Sequence, residues 1–296
     1  MVDERDFWIL SQLRKNPFSS YETLGRGIGL SGKAVKTRIE ALEKTEILTS
    51  LNAMPAAQIF GRFPRLFFFR EPLTSIENLN SAINIDPVIF LTLDVNGKAG
   101  VLLYDHLPSP TQPEDLISLL GPVESEVTPL FPHTGRELSK PISLSELKVL
   151  RVLVRSLRVP LKDISESSGL SQKIVKKIRR GLLDKGLLQV QPIIQSAKSG
   201  RIIMYEIHVY SSDKSVLTTI RQTLPKSVFL NQWESTGMVF SCWADSIAEV
   251  YETERRLRSE HGVSNVLVKF HVRAILVSSR LISWIDEEIL RMENKP

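Results

Sequence analysis

A chain of 296 residues is long for one typical domain, and 42% hydrophobic with 24% charged residues is the balance of a soluble globular protein. No run approaches about 18 uncharged apolar residues, and the acidic start MVDERDFW is the reverse of a signal peptide, so neither a membrane span nor export is expected and a cytoplasmic protein is. The net charge of +5 is uneven: residues 1–140 carry 14 Lys+Arg against 17 Asp+Glu, residues 141–296 carry 24 against 16. A cationic second half favours a polyanionic partner such as double-stranded DNA. The single Cys242 can form neither an internal disulfide nor a multi-cysteine zinc site, so no metal or other cofactor is expected.

Residues 4–16 place Phe7, Ile9, Leu10 and Leu13 at helical spacing, with Asp3 able to cap the start. Ser20 opens a short second helix, Ile28-Gly29-Leu30 forms a turn, and a third helix runs from Ser31 to about Thr45. Gly25 and Gly27 weaken the second helix by up to about 1 kcal/mol each, so packing must hold it. Residues 47–64 alternate loosely around Gly61 and Pro64 and read as a strand-turn-strand wing or connector.

From Pro64 onward the pattern changes to period two. Strands are expected at 65–70, 87–95, 98–104 and 123–130, helices at 74–83 and 113–120, and a tight turn at Asn96-Gly97. The order βαββαβ is that of a four-stranded antiparallel sheet carrying two helices on one face, the ferredoxin-like arrangement. The proline-bracketed polar segment 132–142 reads as a linker.

The cycle then recurs. Leu144 to Leu157 is a first helix, Pro160 stands before LKDISESS, and residues 169–188 read GLSQKIVKKIRRGLLDKGLL. Gly29, Leu30, Ser31, Lys33, Val35, Lys36, Leu42 and Leu48 each meet an identical residue 140 positions later. Residues 188–204 form a second wing with a small cationic tip at 196–201, and 205–272 again spell βαββαβ, with Thr236-Gly237 falling on Asn96-Gly97. A match held over so much of the chain reads as a tandem duplication. The fold class is therefore α+β, as two repeats of a winged helix-turn-helix followed by a ferredoxin-like domain. The boundaries are 1–64 and 65–131, a linker at 132–142, then 143–204 and 205–277, and a C-terminal helix at 278–296. That tail has an apolar face of Leu281, Ile282, Trp284, Ile285, Ile289 and Leu290. Its cover is either the helix's own domain or a second copy of the chain, the latter giving a homodimer.

On a helix, Val175, Ile178 and Leu182 fall on one side and Lys173, Lys176, Lys177 and Arg180 on the other. One face packs and the other is a row of cations behind a turn, which is how a DNA reader is built. The candidate DNA contacts are Ser171 and Gln172 for base edges, Lys173, Lys176, Lys177 and Arg180 for bases and phosphates, and Lys198 and Arg201 in the wing. In the first reader they are Ser31, Lys33, Lys36 and Thr37. Glu40 stands where the second reader has Arg180, and a carboxylate facing phosphate repels it, so the second reader should dominate.

Leu24, Gly29, Leu30, Ser31, Val35, Arg38, Ile39, Leu42 and Glu43 resemble the winged helix-turn-helix of the leucine-responsive regulator/AsnC family. The resemblance extends twice over nearly all of the chain up to about residue 277. It implies a transcription regulator, a βαββαβ effector domain, a small-molecule effector near Gly97, Thr236 and Gly237, and sheet pairing that two copies in one chain would satisfy as an internal pseudo-dimer. Glu46 departs from the pattern, standing where the family has glycine, whereas Gly186 keeps it. A branch of the same architecture, the sirohaem decarboxylases, supplies the competing enzyme reading through His208, His261 and His271, and a non-specific DNA organiser is a third. His208 and His271 lie in expected strands and read as satisfied structural histidines. No Walker loop, HExxH or GxSxG is present, so no catalytic residues are expected and the chain is not read as an enzyme.

Overall fold

The computed structural model describes residues 2–106, 113–127, 129–130, 141–195, 202–224, 227–233 and 237–294. The chain opens with three helices, α1 (Glu4–Lys15), α2 (Tyr21–Arg26) and α3 (Gly32–Lys44). Asp3 closes a capping box on α1: its carboxylate accepts from the Arg5 and Asp6 amides, and Asp6 returns an acceptor to the Asp3 amide at 3.0 Å. Ile9, Leu13, Leu24, Val35 and Ile39 form the buried centre of this unit. Arg38 bridges α3 to the start of α1 through Asp3 and Asp6 at 2.9–3.0 Å. Gly25 is required in α2 because a Cβ there would lie 2.1 Å from the Leu30 carbonyl oxygen, where the chain turns back onto the helix.

Strand β1 (Leu48–Pro55) follows, then a 3-10 turn at Ala57–Phe60, β2 (Phe63–Pro72), α4 (Ile76–Asn84), β3 (Val88–Asp94), β4 (Lys98–Asp105), α5 (Glu114–Leu120), β5 (Val123–Val127) and β6 (Pro129–Leu130). The second half repeats this order with α6 (Leu144–Arg155), α7 (Leu161–Ser168), α8 (Gln172–Asp184), β7 (Leu188–Ile194), β8 (Ile203–Tyr210), α9 (Lys214–Thr223), β9 (Ser227–Trp233), β10 (Gly237–Ala244), α10 (Ile247–Ser259), β11 (Asn265–Lys269) and β12 (His271–Leu276). Helix α11 (Ser278–Glu293) ends the described chain.

The two larger sheets run β12-β3-β4-β2-β5 and β11-β8-β10-β9-β6, all pairings antiparallel. Within each, the four strands from one half have the ferredoxin-like order, in agreement with the expected fold class. Alternation along β2 shows how the faces are used. Phe67 and Phe69 pack with Leu79 and Leu116 under the helices, whereas Phe68 points the other way and packs with Val239 and Tyr210 of the second sheet.

Two expectations need correction. Residues 47–64 and 188–204 do not fold back as wing hairpins among the described residues. β1 pairs with β7 instead, with Leu51 opposite Pro192 and Asn52 opposite Gln191, because the 3-10 turn and Gly61 (φ 61) redirect the chain into β2. The segments 123–130 and 263–272 are not single strands either: β6 crosses to the second sheet beside β9 and β12 to the first beside β3. Each crossing closes an edge whose amides and carbonyls would otherwise lie open. On α11, Leu281, Trp284 and Ile285 are buried against α6 and the 3-10 turn, as expected for a helix docked on its own chain, while Leu290 of the same face is exposed. Arg151–Asp286 and Lys148–Glu293 pairs flank the contact. Most of the expected linker, residues 132–140 of 132–142, lies outside the described residues.

Each three-helix unit also leans on the other half. Phe7 stacks on Trp243 with ring centroids 5.1 Å apart, in a cluster with Val2, Leu10 and Ile202. Leu147, Leu150 and Leu153 of α6 join Met54, Ile59 and Tyr104, whose hydroxyl donates to the Pro55 carbonyl at 2.8 Å.

After α3 the chain turns through Glu46 at φ 56, and after α8 through Gly186 at φ 66. A side chain in the left-handed region costs about 1–2 kcal/mol, offset by about 0.4–1 kcal/mol of unfolded-chain entropy on replacement by glycine. Glu46→Gly should therefore raise stability by about 0.5–1 kcal/mol, and Gly186→Ala should lower it by about 1 kcal/mol, both read from denaturant unfolding. A loss on Glu46→Gly would contradict the strain account.

Candidate nucleic-acid interface

Helix α8 is organised as the sequence pattern requires. Val175 and Leu182 are buried, Ile178 is half-buried, and Gln172, Lys173, Lys176, Lys177 and Arg180 are exposed. The described side chains thus place a cationic row on one face and a packing row on the other. Arg180 is shared with Asp184 at 3.5 Å, but both ends are open to water, so the pair is worth only a few tenths of a kcal/mol and leaves the arginine able to exchange its partner for phosphate.

Helix α3 presents Lys33, Lys36, Thr37 and Glu40 in the same arrangement, all exposed. Here Glu40 sits 3.5 Å from Lys36, so the carboxylate faces the same surface as the lysine it partly neutralises. Three candidate base contacts have work inside their own helices. The Ser31 hydroxyl caps α3 by accepting from the Ala34 amide at 3.2 Å, and Ser171 caps α8 by accepting from the Ile174 amide at 3.4 Å. Thr37 donates its hydroxyl to the Lys33 carbonyl at 3.1 Å. Gln172 is the exposed amide at the start of α8 without such a backbone duty among the hydrogen bonds described.

The two three-helix units touch. The Arg179 guanidinium lies 4.0 Å from the centre of the Phe18 ring and that of Arg158 4.8 Å from Tyr21, so two cations of the second unit stack on aromatic rings of the first. Sequence periodicity had no means of finding this, because Arg179 falls on the flank of α8 and its partner belongs to the other half. Lys198 and Arg201 of the expected wing tip, and Thr236, lie outside the described residues. Gly97 forms the β3–β4 turn at φ 78 and accepts from the Leu73 amide at 2.8 Å, whereas Gly237 opens β10 opposite Tyr210 and Trp233. The two glycines belong to different sheets, and neither lines the cleft of about 100 Å³ between them.

Comparison with known proteins bears on this geometry. Residues 2–49 match the family described as winged helix-turn-helix DNA-binding. An HTH-type transcriptional regulator of Pyrococcus horikoshii is 42% identical over 62 residues, which are 21% of this chain and 40% of that protein. The chain thus spans about two fifths of the length of the curated relatives it matches. Over the whole fold, the solved structure of the siroheme decarboxylase NirDL aligns with 98% of this chain and 100% of its own at a TM-score of 0.51 and 14% identity, a likeness of fold. The Bacillus subtilis LrpC structure aligns with 46% of this chain and 95% of its own, with 16% identity and a TM-score of 0.33. The helix-turn-helix segment is thus the part of the chain that the comparisons describe directly.

Between the sheets lies a cluster whose centre, Glu206, the sequence did not single out. Its carboxylate is 2.8 Å from His271 Nε2 and 3.3 Å from His208 Nε2, and Lys269 lies over the Phe68 ring at 3.4 Å. Burial alone would raise the Glu206 carboxyl, but the charge of His271 and hydrogen bonds with both histidines hold it well below the usual range. Burial pushes His208 down to about 4 despite Glu206. It also opposes protonation of His271, yet Glu206 outweighs it and leaves that pKa above the ordinary value. As pH falls from about 6.5, the unfolded chain protonates His208 while the fold does not, so this group removes up to about 1.4 kcal/mol per pH unit. His271 acts oppositely: its contribution is complete below about 6.5 and is lost as pH rises through its folded value. Urea unfolding of His208→Gln between pH 6.5 and 5 should show a flatter acid-side decline than the native chain; an unchanged slope would contradict a neutral buried His208.

Proposed function

We propose that the protein is a sequence-specific DNA-binding transcription regulator whose second reader supplies most of the affinity. The observation that carries this is the exposed row of Lys173, Lys176, Lys177 and Arg180 behind the Ser171 cap, set against the Lys36–Glu40 pair at the matching place in the first reader. A winged helix-turn-helix match at residues 2–49 supports DNA as the ligand. Lysines facing phosphate release counterions, so affinity should fall steeply with salt, by a slope of about 0.9 for each phosphate neutralised. Such a regulator works where DNA is, in the cytoplasm.

The architecture is read as a tandem duplication of a leucine-responsive regulator/AsnC-type unit, paired internally as a pseudo-dimer. At the offset of 140, Pro192 is the counterpart of Asn52 and Gln191 of Leu51. The pairs Leu51–Pro192 and Asn52–Gln191 therefore exchange into each other, as a local twofold axis requires. The reciprocal crossing of β6 and β12 supports the same reading. Two readers so related would address half-sites about one DNA turn, roughly 34 Å, apart. A small-molecule effector acting through the sheets belongs to this reading.

The enzyme reading has two observations in its favour, the whole-chain likeness to siroheme decarboxylase NirDL and the Glu206–His208–His271 cluster beside the intersheet cleft. A cleft of about 100 Å³ would have to widen greatly to admit a tetrapyrrole, which favours the regulator. Incubation with sirohaem, followed by absorbance, separates the two classes. For the regulator, Lys173→Ala/Lys176→Ala/Arg180→Ala should abolish a mobility shift that Lys33→Ala/Lys36→Ala weakens less. Equal losses would remove the asymmetry, and full competition by random duplex would indicate a non-specific organiser.

A further inference from the structure

The second reader carries one side chain that its cationic surface does not explain. Ile174 is 46% exposed, and it is the one large apolar side chain exposed on α1–α3 or α6–α8 among the described residues. It lies in the first turn of α8, where its amide is held by the Ser171 cap at 3.4 Å, and it is flanked by the exposed Lys173 and Lys177. Seven residues on, along the same side of the helix, a Cβ at Gly181 would meet nothing within 4 Å. The corresponding position of the first reader is Ala34, which is half-buried. An apolar branched side chain among lysines gains nothing from water or from phosphate. It fits a partner that is anionic at its rim and apolar at one point within. The major groove offers that combination, phosphates along both walls and, on thymine alone of the four bases, a C5-methyl group on its floor.

We propose that Ile174 is a specificity-determining residue that packs against the C5-methyl of a thymine in the site bound by α8. The inference rests on the reading of α8 as a DNA reader and adds to it a base and an atom. Lysines placed around Ile174 hold the backbone in register, which is position without sequence information, while the methyl contact distinguishes thymine from the other bases. The first turn is where a recognition helix meets base edges, so the location agrees with the chemistry. In the first reader Ala34 offers less apolar surface, and its preference for thymine at the equivalent step should be weaker.

Deoxyuridine differs from thymidine only by that methyl group, which makes the test atomic. A duplex carrying the selected consensus is titrated with the full chain, replacing each thymine in turn by deoxyuridine. At one position the native chain should lose about fourfold in affinity, the weight of one buried methyl group. Ile174→Ala should be indifferent to the replacement at that position, Ile174→Val should keep part of the sensitivity, and Lys177→Ala should bind every duplex more weakly while keeping the full thymine-to-deoxyuridine ratio. Ile174 is exposed, so unfolding curves of its variants should overlay the native one and report an intact fold. If no replacement affects the native chain, or if Ile174→Ala keeps the same loss, the inference is overturned while the DNA-binding reading stands. If the native chain selects no duplex at all, both fall.

Discussion

The structure depends on backbone pairing between the two halves of the chain. Among the described residues β1 and β7 pair only with each other, and β6 and β12 each leave the half that precedes them to close an edge of the opposite sheet. A two-stranded ribbon is marginal in water by itself, so β1 and β7 are held by what packs on them. Leu48 joins Phe7 and Trp243 on one side, and Met54 joins Leu147, Leu150 and Trp284 on the other. The consequence is reciprocal: α1–α3 are seated on the second sheet and α6–α8 on elements of the first half.

On this base the two three-helix units, α1–α3 and α6–α8, differ in electrostatics far more than in fold. Both use a serine cap, a buried Val–Leu pair at equivalent positions and a left-handed residue after the helix. They part at residues 40 and 180, where one surface carries a carboxylate 3.5 Å from a lysine and the other an arginine paired with a more C-terminal aspartate. Since exposed ion pairs are worth little, the sign of the charge facing a polyanion matters more than its present partner. The stacking of Arg158 and Arg179 on Tyr21 and Phe18 adds a direct contact between the two three-helix units.

Local features of this fold were legible in the sequence because their causes are local. Asp3, Ser31 and Ser171 announce helix starts by the residue types able to satisfy orphan amides, Asn96-Gly97 announces a turn, and the alternation of 65–70 announces a strand with two different faces. The cationic row of α8 followed from spacing alone. Glu46 was visible as an anomaly, and its φ of 56 shows the backbone adopting the glycine conformation regardless. What could not be read were partners far apart in the chain. Residues 129–130 and 271–276 have equal claim to either sheet by pattern, and only the open edges of the assembled sheets decide. Glu206 looked like one acid among many until His271, 65 residues away, was placed against it. The sequence pattern nominates Ser31, Ser171 and Thr37 as DNA contacts, but their hydroxyls are hydrogen-bonded within the helices that carry them.

The central claim is that two similarly folded readers are unequal in binding because of the charge each presents. Selection of bound sequences from random duplex DNA by the purified chain tests this most directly. The account predicts an asymmetric consensus, one strongly constrained half-site and a second, weakly constrained one about a DNA turn away. A palindrome with two equally constrained halves, or no enrichment above random sequence, would contradict it.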